Sequence, residues 1–199
     1  MKSLDIELQK IRTEEEVNII PVLAMEEDST LREMELPEAI PVIALRNAVL
    51  FPDTIIPITV GREKSVKLAR DAYKGDRLIG ALTQKEARVD DPKAEELYHI
   101  GTVAKIIKII EMPDGGITII LQGIQRFEVV EFLSDDPYFF ASVKYLQEDE
   151  IEEENKELSA ISATIKDLAL EIIKLSPHIP QEASFAVRNI EGDSFLVNF

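Results

Sequence analysis

Between residues 37 and 147 the apolar positions recur with the short period of β-strands. Residues 40–45 and 55–60 are apolar runs on either side of a loop at 46–53. Prolines at 41, 52 and 57 mark these as edge or bulged strands, because proline cannot donate to a ladder. Gly61 ends the second run, and residues 62–74 switch to a helical period with Val66, Leu68, Ala69, Ala72 and Tyr73 on one face. Gly75 stands at the position of a helix C-terminal cap. A strand at 78–83 follows, then a polar loop through Asp90, Asp91 and Pro92. Residues 102–111 and 117–122 are rich in β-branched side chains and flank Pro113-Asp114-Gly115-Gly116, which predicts a hairpin. In its second arm Ile117, Ile119 and Leu121 share one face, while Thr118, Ile120 and Gln122 share the other. Strands at 127–133 and 139–146 bring the set to about seven. Both faces of several strands are apolar, which suits a small closed barrel or sandwich. The predicted fold class is α+β, a small β-barrel with one inserted helix.

The flanks differ from this middle segment. Residues 1–36 mix acids with scattered aliphatics, hold no aromatic residue and sustain no period, which predicts a disordered acidic arm. Within it, residues 17–23 form an apolar run that could order against a partner. After Gln147 the ten residues 148–157 contain seven acids, placed to favour a helix start through the helix dipole. Leu158, Ile161, Ile165, Leu168, Ile172 and Leu175 then recur every three or four residues, closed by Ser176-Pro177. This stripe covers under three heptads, so packing within a helical subdomain is expected rather than an independent coiled coil. Pro180 opens a second predicted helix and Asp193 or Ser194 caps a third. The third meets the last residue while still apolar, so residues 148–199 read as the start of a helical subdomain cut from a longer protein.

Charge sharpens this division. Of the net −16, residues 1–36 hold −6, residues 37–147 only −2 and residues 148–199 hold −8. An acidic field of this size repels phosphate backbones over roughly 10 Å, so nucleic acid is a disfavoured partner. No stretch is long and apolar enough for a membrane helix, and no signal-peptide or presequence pattern appears at the N-terminus. Cysteine is absent, which removes disulfides, thiol nucleophiles and cysteine-based zinc sites. A cytoplasmic location is the expectation.

Recognisable catalytic chemistry is missing as well. Gly75-Asp76-Arg77-Leu78-Ile79-Gly80 has the glycine spacing of a phosphate loop, but Ala81 and Leu82 stand where its lysine and hydroxyl belong. There is neither a G-x-S-x-G nor an S-x-x-K motif, and His99 and His178 are too few for a histidine metal centre. No catalytic, cofactor or metal residue is assigned. A binding module remains.

Here a resemblance enters. The segment Ile40-Pro41-Val42-Ile43-Ala44-Leu45-Arg46-Asn47-Ala48-Val49-Leu50-Phe51-Pro52, followed by Ile56-Pro57-Ile58-Thr59-Val60-Gly61-Arg62-Glu63-Lys64-Ser65, closely resembles the opening of the Lon protease N-terminal domain. The likeness continues through Tyr98-His99-Ile100-Gly101-Thr102-Val103-Ala104-Lys105-Ile106, Pro113-Asp114-Gly115 and Leu121-Gln122-Gly123-Ile124-Gln125-Arg126. It spans residues 37–147 in order, and the helical region after it also fits. The arm at 1–36 lies outside it. The resemblance implies a PUA-like β-barrel followed by helices, serving substrate recognition and assembly in a hexameric ATP-dependent serine protease of protein quality control. In that family the ATP and magnesium site and the Ser-Lys dyad lie further along the chain, so this segment itself would bind unfolded protein without catalysis.

Three adjacent large apolar residues in a loop, Val49, Leu50 and Phe51, are the first candidate contact for an unfolded polypeptide. The competing reading folds Leu50 and Phe51 back to plug the barrel end. Met112 and Pro113 at the hairpin tip are the second candidate. Arg46, Arg62 and Arg126 in the matching motifs are read as fixing turns through bonds to carbonyls or carboxylates, and Pro52, Gly61, Gly101 and Gly123 as structural motif positions. Two alternatives stay open: a stand-alone module of the same fold acting as adaptor or small-molecule receptor, and an RNA-binding module.

Overall fold

The computed structural model describes residues 35–113, 116–147, 156–181, 183–190 and 192–198. Residues 1–34 of the acidic arm, the Asp114-Gly115 pair of the hairpin turn and residues 148–155 of the acidic helix start lie outside the described residues.

Six strands and a helix make the first unit. In chain order they are β1 (Ala39–Leu45), β2 (Ile55–Val60), α1 (Glu63–Lys74), β3 (Leu78–Thr83), β4 (Ile100–Glu111), β5 (Ile117–Ser134) and β6 (Phe139–Tyr145). The sheet order is β2-β5-β4-β3-β1-β6, and β6 also pairs with β5. That last pairing closes β5, β4, β3, β1 and β6 into a ring, leaving β2 attached to the far half of β5. All pairs are antiparallel except β1 with β3.

Two expectations need correction. The strands anticipated at 117–122 and 127–133 are one strand of 18 residues, β5. It can serve β2 and β4 at one end and β4 and β6 at the other because register shifts bend it. An extra residue, Ile124, sits against the Val103/Ala104 junction of β4, and Val130 and Leu133 are the extra residues against β6. The second correction concerns proline. Pro57 does lie on an edge strand, but β1 is interior, between β3 and β6. Pro41 is tolerated there because the β1–β3 register starts one residue later, at Val42 opposite Gly80.

Closure places apolar side chains on both sides of β1, whose Ile40, Val42, Ile43 and Leu45 are all buried. One core cluster gathers Ile43, Leu45, Ile56, Leu68, Ile79 and Leu121 beneath α1. The other surrounds Phe127 with Ile40, Val42, Leu82, Leu97 and Val103. Leu36 packs against this second cluster, and the Tyr145 hydroxyl donates to the Pro37 carbonyl at 2.8 Å, so the start of β1 is tied to the end of β6.

Burial pushes the Tyr145 phenol up to about 12. Its folded pKa thus exceeds the unfolded value of about 10, so its stabilising contribution is complete below pH ~10 and is lost as pH climbs through 12. Tyr145→Phe should lose about 1 kcal/mol at neutral pH, the usual worth of such a hydrogen bond. It should also flatten the alkaline fall in stability above pH 10, as read by circular dichroism melts. A residual slope is expected from Tyr138, whose pKa is raised by burial and then by the neighbouring Asp71. A mutant whose alkaline profile parallels that of the parent would remove Tyr145 from this role.

The second unit holds α2 (Lys156–Leu175), α3 (Ala183–Asn189) and α4 (Asp193–Asn198). Ile173 of α2 packs with Ala183 and Val187 of α3, backed by Ala169, Leu170 and Ile179. The stripe read from the sequence is split: Leu158 and Ile165 are half-buried, while Ile161, Leu168, Ile172 and Leu175 are exposed. The helix carries two apolar faces, and the one containing Ala169 and Ile173 is the face that α3 covers. Among the described residues no helix is long and apolar enough to cross a membrane.

Candidate functional site

The loop joining β1 to β2 is built to hold apolar side chains on a fixed backbone. It turns at Asn47 (φ 54°) and Asp53 (φ 61°), the left-handed region that Asn and Asp tolerate better than other non-glycine residues. Between these turns, threonine hydroxyls from three places secure its carbonyls. Thr83 Oγ1 donates to Ala48 O, Thr102 Oγ1 to Leu50 O and Thr54 Oγ1 to Phe51 O, each at 2.7 Å. The far end is stitched to β5 by Gly123 N–H donating to Thr54 O at 2.9 Å and Asp53 N–H donating to Gly123 O at 3.1 Å.

This anchoring divides the three candidate residues. Leu50 is 3% exposed and belongs to the core beneath the loop, with Pro52 also buried. Val49 is 55% exposed and Phe51 37% exposed. Leu50 therefore plugs the barrel end while Val49 and Phe51 face outward. The Arg126 guanidinium lies 6.0 Å from the Phe51 ring centroid, within cation–π range, and donates to Asn198 Oδ1 of α4 at 2.8 Å.

The apolar surface extends beyond the loop. Thr102, beneath Leu50, is opposite Arg126 in the β4–β5 ladder, and Ile100, two residues earlier on the same face, is opposite Glu128. Val129 N–H donates to His99 O, so Tyr98 and Val130 flank the next step of the ribbon. Tyr98, Ile100 and Val130 are all exposed, at 52%, 57% and 65%. The ladder puts Ile100 and Val130 on the same outward side of the β4–β5 ribbon as Arg126 and Glu128, and the Thr102 bond to Leu50 O together with the Arg126–Phe51 approach brings the loop to that side. Tyr98, Ile100 and Val130 were absent from the sequence-based candidates, as were the threonines. Polar Thr102 inside an otherwise apolar strand segment was the available signal for the latter.

Met112 and Pro113 are also exposed, beside a hairpin closure in which Met112 N–H donates to Gly116 O. They stand ten residues beyond Thr102, roughly 33 Å at the rise of a strand, so they are not gathered into the loop site.

Arg46 and Arg62 sit on the other side of the loop's base. Arg46 bonds Asp90 at 2.6 Å and Val89 O at 3.3 Å. Arg62 bonds the buried Gln84 at 2.6 Å and reaches Ala44 O and Val89 O. Gln84 in turn donates to Glu86 O and Val89 O. The Arg62 pKa is lowered, first by burial and then by Arg46. Together these groups clamp the 84–91 loop onto β1. Gly61 lies exposed with open space around it, whereas Gly101 and Gly123 are closely approached: a Cβ on Gly101 would meet Ala81 O, and one on Gly123 would meet Phe51 O.

A cleft lined by Val42, Arg62, Leu68, Tyr138 and Phe139 measures about 20 Å³, room for about one water and not for a metabolite. Among the described residues no three His, Cys, Asp or Glu side chains gather to hold a metal. What the loop face offers is rigid apolar contact with the Arg126 guanidinium and the exposed Glu128 carboxylate beside it.

Known proteins resemble this chain along most of its length. The Lon protease of Flavobacterium johnsoniae is 45% identical over 195 residues, covering 98% of this chain and 24% of that protein. The Lon protease of Cytophaga hutchinsonii is 40% identical over 185 residues, covering 93% and 23%. The chain thus spans about a quarter of the length of these curated relatives. Among solved structures, the N-terminal domain of the Mycobacterium avium complex Lon protease aligns with a TM-score of 0.64 at 18% identity, over 80% of each chain. A Lon N-terminal domain protein from Xanthomonas campestris aligns at 0.53 and 17% identity, over 80% of this chain and 94% of that one. At such identities the two structures speak for the fold alone. The model of the ATP-dependent protease La (Lon) substrate-binding domain matches residues 39–199, which takes in the barrel, the loop face and all three following helices, and the chain belongs to that family.

Proposed function

We propose that this chain is the substrate-recognition region of an ATP-dependent serine endopeptidase, and that it captures exposed apolar segments of unfolded protein on the loop face. The observation that carries this is the outward placement of Val49 and Phe51 on a backbone held by threonine hydroxyls and the Gly123 stitch. A protease that selects damaged proteins needs apolar surface without shape specificity, and rigid presentation lowers the entropy lost on binding. Each contact is weak, so copies brought together in a hexamer would multiply it. ATP, magnesium and the Ser-Lys dyad belong to the remaining three-quarters of the parent protein in this reading. The chain described here binds and does not cleave, and the parent works in the cytoplasm on misfolded proteins.

Phe51→Asp should reduce capture of fluorescein-labelled casein, an unstructured polypeptide, about tenfold, the scale of one interface anchor. The fold should persist, because the new carboxylate would lie beside Arg126 and the loop is held by backbone carbonyls rather than by the ring. Val49→Asp, at a more exposed position, should act in the same direction. Unchanged casein capture by both folded variants would remove this loop from the site.

A further inference from the structure

The chain itself carries an apolar run beside its attachment to the barrel. Residues 17–23, Val17-Asn18-Ile19-Ile20-Pro21-Val22-Leu23, form an apolar run set between Glu14-Glu15-Glu16 and Glu26-Glu27-Asp28. This is the composition that the face is proposed to bind. We propose that residues 17–23 occupy the face formed by Val49, Phe51, Tyr98, Ile100 and Val130, so that the chain carries its own competitor for polypeptide. This inference rests on the polypeptide-binding reading of the face.

The attachment point of the arm is what supports it. Leu36 packs against the core and Pro37 O accepts from Tyr145. Tyr145 is opposite Phe127 on β5, and Leu146 N–H donates to Arg126 O. The arm therefore joins the barrel one strand from Arg126, which borders the face beside Phe51 and is held by Asn198 of α4. From β1 across β6 and β5 to β4 is three strand spacings, roughly 14 Å. The twelve residues 24–35 that separate the run from Leu36 would span on the order of 20 Å as a flexible coil. Linker and distance match, which sets a local concentration on the order of millimolar. A site whose intrinsic Kd lies well below millimolar would be filled under that condition. The exposed Ile161, Leu168, Ile172 and Leu175 face of α2 is a poorer seat. A heptad stripe asks for an uninterrupted helix against it, and Pro21 stands in the middle of the run.

The chain has no cysteine, so Met25→Cys gives a single attachment point for a nitroxide just beyond the run. Relaxation enhancement should broaden the amide signals of Phe51, Ile100 and Val130. The broadening should disappear when residues 17–23 are replaced by Gly and Ser with the label still at 25. Broadening that survives the replacement, falls on α2, or is absent from the loop face overturns the proposal. In the unlabelled chain the same replacement should tighten casein binding about three- to tenfold. Equal affinity of the two forms overturns the competition. If casein binds neither form while the label still broadens the face, the polypeptide-binding reading fails and the intrachain contact stands.

Discussion

Phe127→Ala should cost about 3–5 kcal/mol, the usual range for emptying the site of a buried aromatic ring and a large part of a small domain's stability. Phe127 is fully buried and is the largest of the buried side chains in the cluster around β1, β3, β4 and β6. Its ring is seated between two glycines. A Cβ built on Gly80 would come within 2.8 Å of both Phe127 Cζ and Ile40 Cδ1, and one on Gly101 within 3.1 Å of the same Cζ. The two positions nevertheless differ in what else they would meet. At Gly80 the obstacles are side-chain ends, whereas at Gly101 the Cβ also runs into the carbonyl oxygen of Ala81 and lies 2.6 Å from Leu82 Cδ2. Gly80→Ala alone should therefore destabilise by about 2 kcal/mol through overpacking, and combining it with Phe127→Leu should recover at least 1 kcal/mol relative to additivity. Gly101→Ala should show no such recovery, because a backbone carbonyl cannot be trimmed. Urea unfolding at constant m-value measures all of these. Additive losses for Gly80→Ala with Phe127→Leu would show that the ring is not what requires glycine there.

This pair also shows what could be read from the sequence and what could not. The β4–β5 hairpin was visible in its β-branched runs and glycine turn, and α1 in its 3.6-residue period, because both signals are local. The reason for glycine at 80 is the Phe127 ring and at 101 the Ala81 carbonyl, both remote in sequence, and they become visible only when the ring of strands closes. The same holds for β5. Its Gly123-Ile124-Gln125-Arg126 stretch resembles a break between strands, yet bulges against β4 and β6 carry the ladder through it. On α2 the heptad stripe was legible, but which of two apolar faces packs was decided by the position of α3. At the candidate site, three adjacent apolar loop residues were a local signal. Their division into one plug and two outward contacts came from Thr83 and Thr102 on distant strands. Tyr98, Ile100 and Val130 carried no signal beyond being apolar in a strand region, where apolar residues normally point inward.

Gly123→Ala should affect stability and binding together, with a loss of about 3 kcal/mol or more. The added Cβ would meet the carbonyl oxygen of Phe51 and lie 2.9 Å from its carbonyl carbon, so the loop must lift from β5. Lifting would break the hydrogen bonds from Gly123 N to Thr54 O and from Asp53 N to Gly123 O, and would loosen Leu50 in the barrel end. Leaving such groups unpaired costs about 1–3 kcal/mol each when buried, and withdrawing part of Leu50 adds to this. Thr102→Val removes only the bond to Leu50 O and leaves the carbonyl unpaired without displacing the chain, so its cost should be smaller, about 1–2 kcal/mol. Casein capture should rank the variants in the same order, because Val49 and Phe51 face outward only while the backbone between Ala48 and Thr54 is held down. The decisive measurement is capture at a temperature where Gly123→Ala is still folded. Full capture there would mean that rigid seating contributes nothing to binding, and that apolar side chains on a loose loop serve equally well.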